Sequence, residues 1–301
     1  MSTLSSLVDS GVVSENVPLG PYTTYKAGGP ARFMTRVDDV DALRTLVDSG
    51  VAGDHPVLVL GRGSNLVVSD AGFKGIVIRL GPAFAAIEVE GDRVRAGGAA
   101  PLAHVARTSV DAGLAGLEFL VGIPGSVGGA VRQNAGCFGT ETCDRLIAAS
   151  LIDLAGGDRR EAGPDDLEMS YRHSNVRPTE IVIGALFEAA PGDAGTGRAE
   201  LRRITRWRRD NQPGGTFNAG SVFKNPPGST AGEIIDSLGL KGMQVGDVSV
   251  SHKHANFFVA GQGATSADIR RLVDEVKDRV FEETGTMLEP EIQFVGFDND
   301  H

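Results

Sequence analysis

The segment Gly122–Ala130 reads GIPGSVGGA, and the chain continues through QNAG at 133–136 to Phe138-Gly139. Glycine occupies positions 122, 125, 128, 129, 136 and 139 of this stretch. Small residues let a backbone come close to a flat ligand or a phosphate, and Pro124 fixes the entry into the loop. The pattern favours a ligand-binding loop, and a structural Ω-loop is the alternative.

A second glycine loop, Gly61–Leu66 (GRGSNL), follows a buried strand predicted at Pro56–Leu60. Its backbone N–H groups can point into one concavity that suits a diphosphate, and Ser64 and Asn65 can add side-chain donors. It is not a dinucleotide fingerprint, because Leu66 replaces the third glycine and no helix pattern follows. The loop either binds a diphosphate or is a plain turn between two strands.

Hydrophobic periodicity predicts a mixture of helices and short strands along the whole chain. The best-defined helix is Ser266–Glu283, which has a capping-box pattern at Thr265 and Asp268, an apolar stripe and a stop at Gly285. The acidic, glycine-rich loop Ala189–Gly197 is predicted to close the first region. Further helices are predicted at 38–47, 101–112, 198–209 and 231–238, and strands at 56–60, 76–80, 86–90, 93–96, 149–154, 180–185, 244–251 and 255–260.

Composition limits the classes of function. The chain has 301 residues and is 41% hydrophobic, so it is long enough to form more than one packed domain. Its net charge of −10 argues against a general affinity for nucleic acid, because phosphate binding needs positive surface. The arginine-rich segment 202–209 is therefore interpreted as the solvated face of a helix.

Cysteine and histidine usage argues against a metal centre. Cys137 and Cys143 are too few for a disulfide framework and are not spaced like zinc ligands, and the chain has no His-Glu-x-x-His pattern. No apolar run approaches the roughly 20 residues of a membrane span, and the N-terminus lacks a signal-type pattern. We expect no metal, no membrane insertion and a cytoplasmic location.

Three distant segments supply a candidate acid-base site. NAGSVFKNP at 218–226 places Ser221 on a glycine-flanked turn, Arg172 lies in YRHS, and Glu291 lies in LEPEIQFVG. A hydroxyl that can donate a proton, together with a guanidinium and a carboxyl group, suggests an acid-base site assembled from three distant segments. Taken singly, such residues are more often a turn serine, a surface cation and a carboxylate at a strand edge, because most of them are solvated.

Seven ordered motifs between about Val17 and Gly296 resemble the family of UDP-N-acetylenolpyruvoylglucosamine reductases. The motifs are 25–31, 61–66, 122–139, 171–174, 219–226, 253–257 and 288–296. The resemblance implies an α+β fold, with a flavin-binding module of the p-cresol methylhydroxylase type followed by an α+β substrate-binding domain. The predicted boundaries are 1–16 for an N-terminal extension, 17–195 for the flavin domain and 196–301 for the substrate domain. The short connection between Ala189 and Asn218 resembles the type II branch, which lacks an inserted tyrosine loop.

The resemblance also implies a reaction and its residues. The family uses noncovalent FAD and NADPH to reduce UDP-N-acetylglucosamine enolpyruvate to UDP-N-acetylmuramate during peptidoglycan precursor synthesis. Arg172 matches the arginine that neutralises the carbanion, Ser221 matches the proton donor, and Glu291 matches the acid that polarises the enolpyruvyl group. Substrate contacts are expected from Tyr171, Lys224 and Asn225, with one or two arginines near Gln212 as alternative phosphate contacts. The implied cofactor-binding residues are Gly61, Arg62, Gly63, Ser64, Asn65, Gly122, Ile123, Pro124, Gly125, Ser126, Gly128, Gly129, Asn134 and Gly136.

Two departures from the family pattern bear on binding. Gln293 stands where many members carry arginine, and Arg132-Gln133 replace a more apolar pair beside Asn134. Two other functions are compatible with the flavin loops: a related flavin oxidase that acts on another sugar or alcohol, and a noncatalytic flavin- or nucleotide-binding protein. The small-molecule substrate is the expected partner, and no obligate protein partner is predicted.

Overall fold

The computed structural model describes residues 4–297, so residues 1–3 and 298–301 of the predicted terminal segments lie outside the described part. The chain forms two compact units, each assembled from separate stretches of sequence. Unit 1 contains the residues up to Glu15, Phe33–Gly61 and Gly75–Trp207. Unit 2 contains Asn16–Arg32, Arg62–Lys74 and the residues from Arg208 onward. The predicted functional domains, 17–195 and 196–301, stay a prediction.

The described residues form helices and strands with the following bounds. The helices are α1 (Leu4–Asp9), α2 (Val40–Asp48), α3 (Val51–Asp54), α4 (Leu102–Asp111), α5 (Val127–Gln133), α6 (Ala194–Asn211), α7 (Ala231–Ser237) and α8 (Ser266–Thr284). The strands are β1 (Ser14–Pro18), β2 (Pro30–Val37), β3 (Val57–Val59), β4 (Leu66–Val68), β5 (Phe73–Leu80), β6 (Ile87–Glu90), β7 (Arg93–Gly97), β8 (Leu114–Ala115), β9 (Gly136–Cys137), β10 (Thr140–Glu141), β11 (Leu146–Asp153), β12 (Arg159–Ala162), β13 (Glu180–Glu188), β14 (Ala190–Pro191), β15 (Gln244–Val245), β16 (Val248–Val250), β17 (Phe258–Ala260) and β18 (Gln293–Val295).

Unit 1 is organised around an antiparallel sheet with the strand order β12-β11-β13-β7-β6. One face of this sheet is covered by α4 and α5, whose apolar residues, such as Val105 and Val127, share one core with Leu151 and Phe187 of the sheet. Burial of these side chains is the main source of stability for the unit. A second sheet, with the order β1-β2-β5-β3, contains the parallel pair β3 and β5.

Unit 2 has a small antiparallel sheet, β15-β16-β17, and the parallel pair β4 and β18. The pairing of β4 with β18 matches Leu66 to Gln293 and Val68 to Val295. Helix α8 covers this part of the unit, and its apolar stripe is fully buried, as its sequence predicts. Thr265 and Asp268 form the predicted capping box, and Gly285 ends the helix with φ 68°.

Two predicted loops differ from the structure. The glycine-rich stretch after Ser126 continues as α5, which ends at Asn134 in the left-handed conformation, φ 41°. Helix α6 begins at Ala194, earlier than its sequence predicts, because Asp193 Oδ1 accepts a hydrogen bond of 2.7 Å from the Thr196 N–H. Gly197 then suits the helix interior, since a Cβ there would lie 2.8 Å from the Val110 side chain. Within residues 4–297, no helix combines the length and the apolar character that a membrane crossing requires.

Candidate active site

Ser221 lies on a loop of unit 2 that neighbouring backbone groups hold in place. It forms a β-bridge with Phe257, and Gly220 before it has φ 79°, a conformation that favours glycine. Asn256, only 3% exposed, accepts a hydrogen bond from the Phe223 N–H at 2.9 Å and donates one to the Phe223 carbonyl at 2.8 Å. The Asn256 carbonyl also accepts from the Val222 N–H at 2.8 Å. These bonds fix the backbone immediately after Ser221.

The structure pairs the backbone of Glu291 with the residue that follows Ser221. The Glu291 N–H donates a hydrogen bond of 2.7 Å to the carbonyl of Val222, the residue that follows Ser221. The Glu291 carbonyl accepts 3.1 Å from Nδ2 of Asn65, a predicted cofactor-binding residue, and the Asn65 carbonyl accepts 2.9 Å from the Gln293 N–H. A candidate proton donor, a candidate acid and one glycine loop thus share one part of unit 2.

The other predicted residues of this segment have partners within unit 2. Lys224 Nζ lies 2.6 Å from Glu289 Oε1, with the lysine side chain 22% exposed and the glutamate 69% exposed. Asn225 Oδ1 accepts a hydrogen bond of 3.1 Å from the N–H of Ala231, the first residue of α7. Asn225 therefore has a structural role at the start of this helix, alongside its predicted substrate contact.

Arg172 lies in unit 1, at the tip of a tight turn closed by a β-bridge between Ser170 and His173. Its Nη1 donates 3.0 Å to Glu141 Oε1, and its Nη2 donates 3.0 Å to the Gly136 carbonyl. The guanidinium carbon also lies 4.8 Å from the centre of the Tyr171 ring. Two acceptors and one aromatic face therefore fix the direction of the Arg172 side chain.

Asn134, predicted to bind the cofactor, is fully buried and makes several side-chain contacts with the protein. Its Nδ2 donates 2.9 Å to Glu141 Oε2 and 2.9 Å to the Ser170 carbonyl, and its Oδ1 accepts 2.9 Å from the Cys143 N–H. These bonds tie the turn that carries Arg172 to the β9–β10 hairpin. In this structure Asn134 organises the site, and its contact with the cofactor stays a prediction.

Glycines of the first loop allow close approaches of the backbone to neighbouring groups. A Cβ on Gly61 would lie 2.7 Å from Ser126 Oγ, so the absence of a side chain there lets the first loop approach the second. Ser126 is 4% exposed, and its hydroxyl makes no capping bond to α5, so it suits a role as a ligand donor. Gly63 has φ 62°, and a Cβ there would meet the Tyr22 carbonyl at 2.2 Å. Gly61 and Ser126 both lie in unit 1 and are brought together there, and their contact with a cofactor diphosphate stays a prediction.

Other residues of the second loop have clear places in unit 1. Ile123, Pro124 and Gly125 connect a short 3₁₀ helix, Glu118–Gly122, to α5. The Gly128 N–H donates 2.8 Å to the Gly98 carbonyl, and a Cβ on Gly128 would meet that oxygen at 3.2 Å, so the glycine allows α5 to pack on the sheet. In the first loop, Arg62 is exposed, whereas Ser64 and Asn65 are half-buried.

Neither Asn256 nor Glu141 is among the functional residues that the sequence predicts. Asn256 lies within one of the ordered motifs, 253–257, and that position was the signal available for it. Glu141 comes just after the glycine-rich motif, and nothing in its local sequence indicates a partner 31 residues away. The convergence of Arg172 with Ser221 and Glu291 stays a prediction, because Arg172 belongs to the other unit.

Comparisons with known proteins first identify the class of protein to which this chain belongs. Residues 31–163 match the family model of the FAD binding domain. The solved structure of 6-hydroxy-D-nicotine oxidase from Arthrobacter nicotinovorans has a similar fold, with a TM-score of 0.53, 12% identity and coverage of 96% of this chain and 86% of that one. The matched family model and the fold therefore define an FAD-binding protein. The predicted fold class and the predicted FAD cofactor are confirmed.

More specific matches cover nearly the whole chain. Residues 212–295 match the C-terminal domain of UDP-N-acetylenolpyruvoylglucosamine reductase. Reductases of that name from Erythrobacter litoralis and Sphingopyxis alaskensis are 44% and 42% identical, over 95% of this chain and 88% and 95% of theirs. The crystal structure of the reductase from Thermus caldophilus has a TM-score of 0.81 and 36% identity, covering 93% of this chain and 98% of that one. The chain belongs to the UDP-N-acetylenolpyruvoylglucosamine reductase family.

Proposed function

We propose that this chain catalyses the NADPH-dependent reduction of UDP-N-acetylglucosamine enolpyruvate to UDP-N-acetylmuramate, with FAD bound noncovalently. The observation that supports the proposal is the hydrogen bond of 2.7 Å from the Glu291 N–H to the Val222 carbonyl, which joins the backbone of Glu291 to the residue after Ser221 in a member of this reductase family. The reaction belongs to peptidoglycan precursor synthesis. Because it draws on NADPH and a nucleotide sugar, the cytoplasm is the proposed location.

The overall reaction converts a carbon–carbon double bond into a single bond. NADPH and one proton are consumed, NADP⁺ is released, and the enolpyruvyl ether becomes a lactyl ether. The chemistry that FAD supplies when bound is the relay of a hydride from NADPH to the terminal carbon of the double bond. The protein must therefore stabilise negative charge at the adjacent carbon, beside the carboxylate, and deliver a proton to it.

Ser221 is the proposed proton donor. A serine hydroxyl is a weak acid in water, so it can serve only if the carbon it protonates is strongly basic and if the hydroxyl is held in position. The paired contacts of Asn256 with Phe223, at 2.9 Å and 2.8 Å, support the second condition, because they fix the backbone next to Ser221. The proton that leaves Ser221 is replaced from solvent in each turnover.

Arg172 and Glu291 are the proposed electrostatic partners. The guanidinium of Arg172 would neutralise the charge that develops beside the substrate carboxylate, and its fixed direction suits that task. Glu291 would polarise the enolpyruvyl group from the side of Ser221. Tyr171, Lys224 and Asn225 are the proposed contacts with the rest of the substrate. The approach of Arg172 to Ser221 and Glu291 is part of the proposal.

The test separates the two halves of the reaction. Purified holoprotein is first reduced by NADPH without oxygen, and the flavin absorbance is then followed after addition of UDP-N-acetylglucosamine enolpyruvate. The proposal expects rapid return of the oxidised spectrum and formation of UDP-N-acetylmuramate. Flavin that NADPH reduces but this substrate leaves reduced would overturn it. Rapid oxygen consumption with another sugar or alcohol would favour the oxidase alternative.

A further inference from the structure

The surroundings of Arg172 contain a carboxylate that the proposed reaction does not use. We propose that Glu141 is a positioning residue for Arg172: it fixes the guanidinium in the orientation that stabilises negative charge on the substrate. This inference rests on the proposed function. It concerns a residue that touches Arg172 and acts on the reaction only through that contact.

Each oxygen of Glu141 has its own partner. Oε1 accepts 3.0 Å from Arg172 Nη1, and Oε2 accepts 2.9 Å from Asn134 Nδ2. Because Asn134 also donates 2.9 Å to the Ser170 carbonyl, the carboxylate is held against the turn that carries Arg172. A carboxylate oriented by a second hydrogen bond is a better-defined acceptor than one on a free side chain.

The two groups that accept hydrogen bonds from the Arg172 guanidinium lie on one rigid template, the β9–β10 hairpin. Gly136, whose carbonyl accepts 3.0 Å from Nη2, and Glu141 are direct cross-strand partners in the β9–β10 hairpin. The spacing of the two acceptors is therefore set by strand pairing and not by flexible loops. A guanidinium suits such a template, because its N–H groups have a fixed planar geometry.

The backbone around this contact is strained. The φ of 41° at Asn134 is an ordinary ending for helix α5, whereas Arg172 has φ 56°, in the left-handed region that side chains other than glycine rarely adopt. Such a conformation persists only where surrounding contacts hold it, and it recurs at functional sites. Glu141 contacts the strained residue Arg172 directly, so it is one of the groups that hold this conformation.

Burial distinguishes this pair from the ion pairs at the surface of the same unit. The Arg172 and Glu141 side chains are 15% and 26% exposed, whereas Arg198 and Asp111, also 3.0 Å apart, are 52% and 67% exposed. Surface pairs contribute little order because solvent screens them and both side chains move. The partly buried pair is stronger for the same distance, so it can hold the guanidinium in one direction.

The test is Glu141→Gln, which keeps an oxygen for Asn134 but places an amide N–H₂ against the Arg172 donors. We expect reoxidation of the reduced flavin by the substrate to slow by about 10- to 100-fold, the usual effect of losing an orienting partner. Reduction by NADPH should stay within about threefold of wild type, since it does not involve substrate charge. Calorimetric binding of the substrate to the oxidised protein should also stay within about threefold, because orientation matters most in the transition state.

A double-mutant cycle separates positioning from a general structural effect. In the Arg172→Met background, Glu141→Gln should slow reoxidation further by less than about threefold, because no cation remains for Glu141 to orient. Asp111→Asn, which removes the surface pair of the same 3.0 Å length, is the matched control and should change neither half-reaction.

Two results would overturn the inference. One is reoxidation of the Glu141→Gln flavin at the wild-type rate, and the other is a double variant whose reoxidation is slowed by the full product of the two single-variant factors. If Glu141→Gln does not bind FAD, Glu141→Asp provides the same test, since it keeps the charge but shortens the side chain by one methylene. Slower reoxidation of that variant supports the inference, and unchanged reoxidation rejects it. Failure of the wild-type protein to reoxidise with substrate would reject the proposed function instead, so the two failures are distinct.

Discussion

The side chain of Asn256 pairs with both backbone polar groups of Phe223, accepting from its N–H at 2.9 Å and donating to its carbonyl at 2.8 Å. A side-chain amide has one acceptor and one donor side, so here it imitates the edge of a β-strand. This pairing fixes the backbone one residue beyond Val222, and therefore the loop that carries Ser221. The position of the proposed proton donor therefore depends on Asn256, a residue that takes no part in the proposed reaction.

Replacement of Asn256 by aspartate should destabilise the protein and slow the second half-reaction. The carboxylate keeps the bond to the Phe223 N–H but faces the Phe223 carbonyl with a lone pair, in a site that is 3% exposed. We expect a loss of about 2 to 4 kcal/mol in the free energy of unfolding, as for a buried group that loses its partner. Denaturant unfolding measures this, with Gln262→Glu on the surface of unit 2 as the control. Equal stability of both variants would show that the pairing is dispensable.

Substitution of Ser221 by alanine should act on one half-reaction only. Loss of a general acid typically slows its step by about 10² to 10⁴-fold, whereas NADPH oxidation by the flavin needs no proton from this residue. Stopped-flow absorbance of the flavin gives the two rates separately. Ser229→Ala, on an exposed part of the same segment, should leave both rates unchanged. Equal slowing of the two half-reactions by Ser221→Ala would exclude Ser221 as the specific proton donor.

Two glycines of the first loop should respond differently to alanine. Gly63 has φ 62° and faces the Tyr22 backbone at 2.2 Å, so Gly63→Ala should lower the free energy of unfolding by about 2 kcal/mol or more. Gly61 faces only the movable Ser126 hydroxyl at 2.7 Å, so Gly61→Ala should fold but weaken FAD binding about tenfold or more.

Thermal unfolding of the apoprotein and fluorescence titration with FAD distinguish the two effects. Gly53→Ala is the control, because a Cβ there meets nothing within 4 Å. Normal FAD affinity in Gly61→Ala would mean that Ser126 does not contact the cofactor.

The buried carboxylate of Glu180 should make the stability of unit 1 sensitive to acid. Burial alone would raise its pKa, but hydrogen bonds from Arg160 at 2.7 Å and from Arg177 at 2.9 Å outweigh burial and lower the pKa to about 2. Because the pKa of Glu180 is lower in the folded protein than the value of 4.5 expected in the unfolded chain, the ionised carboxylate stabilises the fold at pH values above 4.5. This contribution disappears as the pH falls towards 2. Glu180→Gln should therefore cost about 2 kcal/mol at pH 7 and progressively less in acid.

Urea unfolding of wild type and Glu180→Gln between neutral pH and about pH 3 checks this. The stability difference should shrink steadily across the acidic part of this range. A difference in the free energy of unfolding that stays constant with pH would show that the charge of Glu180 does not stabilise the protein.

The sequence predicts local structure well where one signal dominates. In α8 the apolar stripe, the capping box and the glycine stop agree, and the helix forms at the predicted position. In α5 the signals conflict, because Gly128 and Gly129 disfavour a helix, and only packing of Gly128 against Gly98 makes the close approach favourable. That contact lies between segments distant in sequence, so no local pattern contains it.

The residues of the candidate site were also only partly predictable from the sequence. The resemblance identified Ser221, Arg172 and Glu291 as candidates because each lies in an ordered motif. It gave no role to Glu141 or Asn256, since their roles depend on partners 31 and 33 residues away and on which atoms face each other. Side-chain orientation arises only when strands pair and turns close, and periodicity carries no information on it.

The parallel pairing of β4 with β18 affects how the protein can fold while it is being translated. Residues 66–68 emerge early during translation, yet their partner strand, 293–295, is made more than two hundred residues later. Unit 2 therefore cannot close on the ribosome until almost all of its sequence has been released, although most of unit 1 is already available to fold. In a nascent chain, the environment of Ser221 is completed last, after the scaffold that presents Arg172.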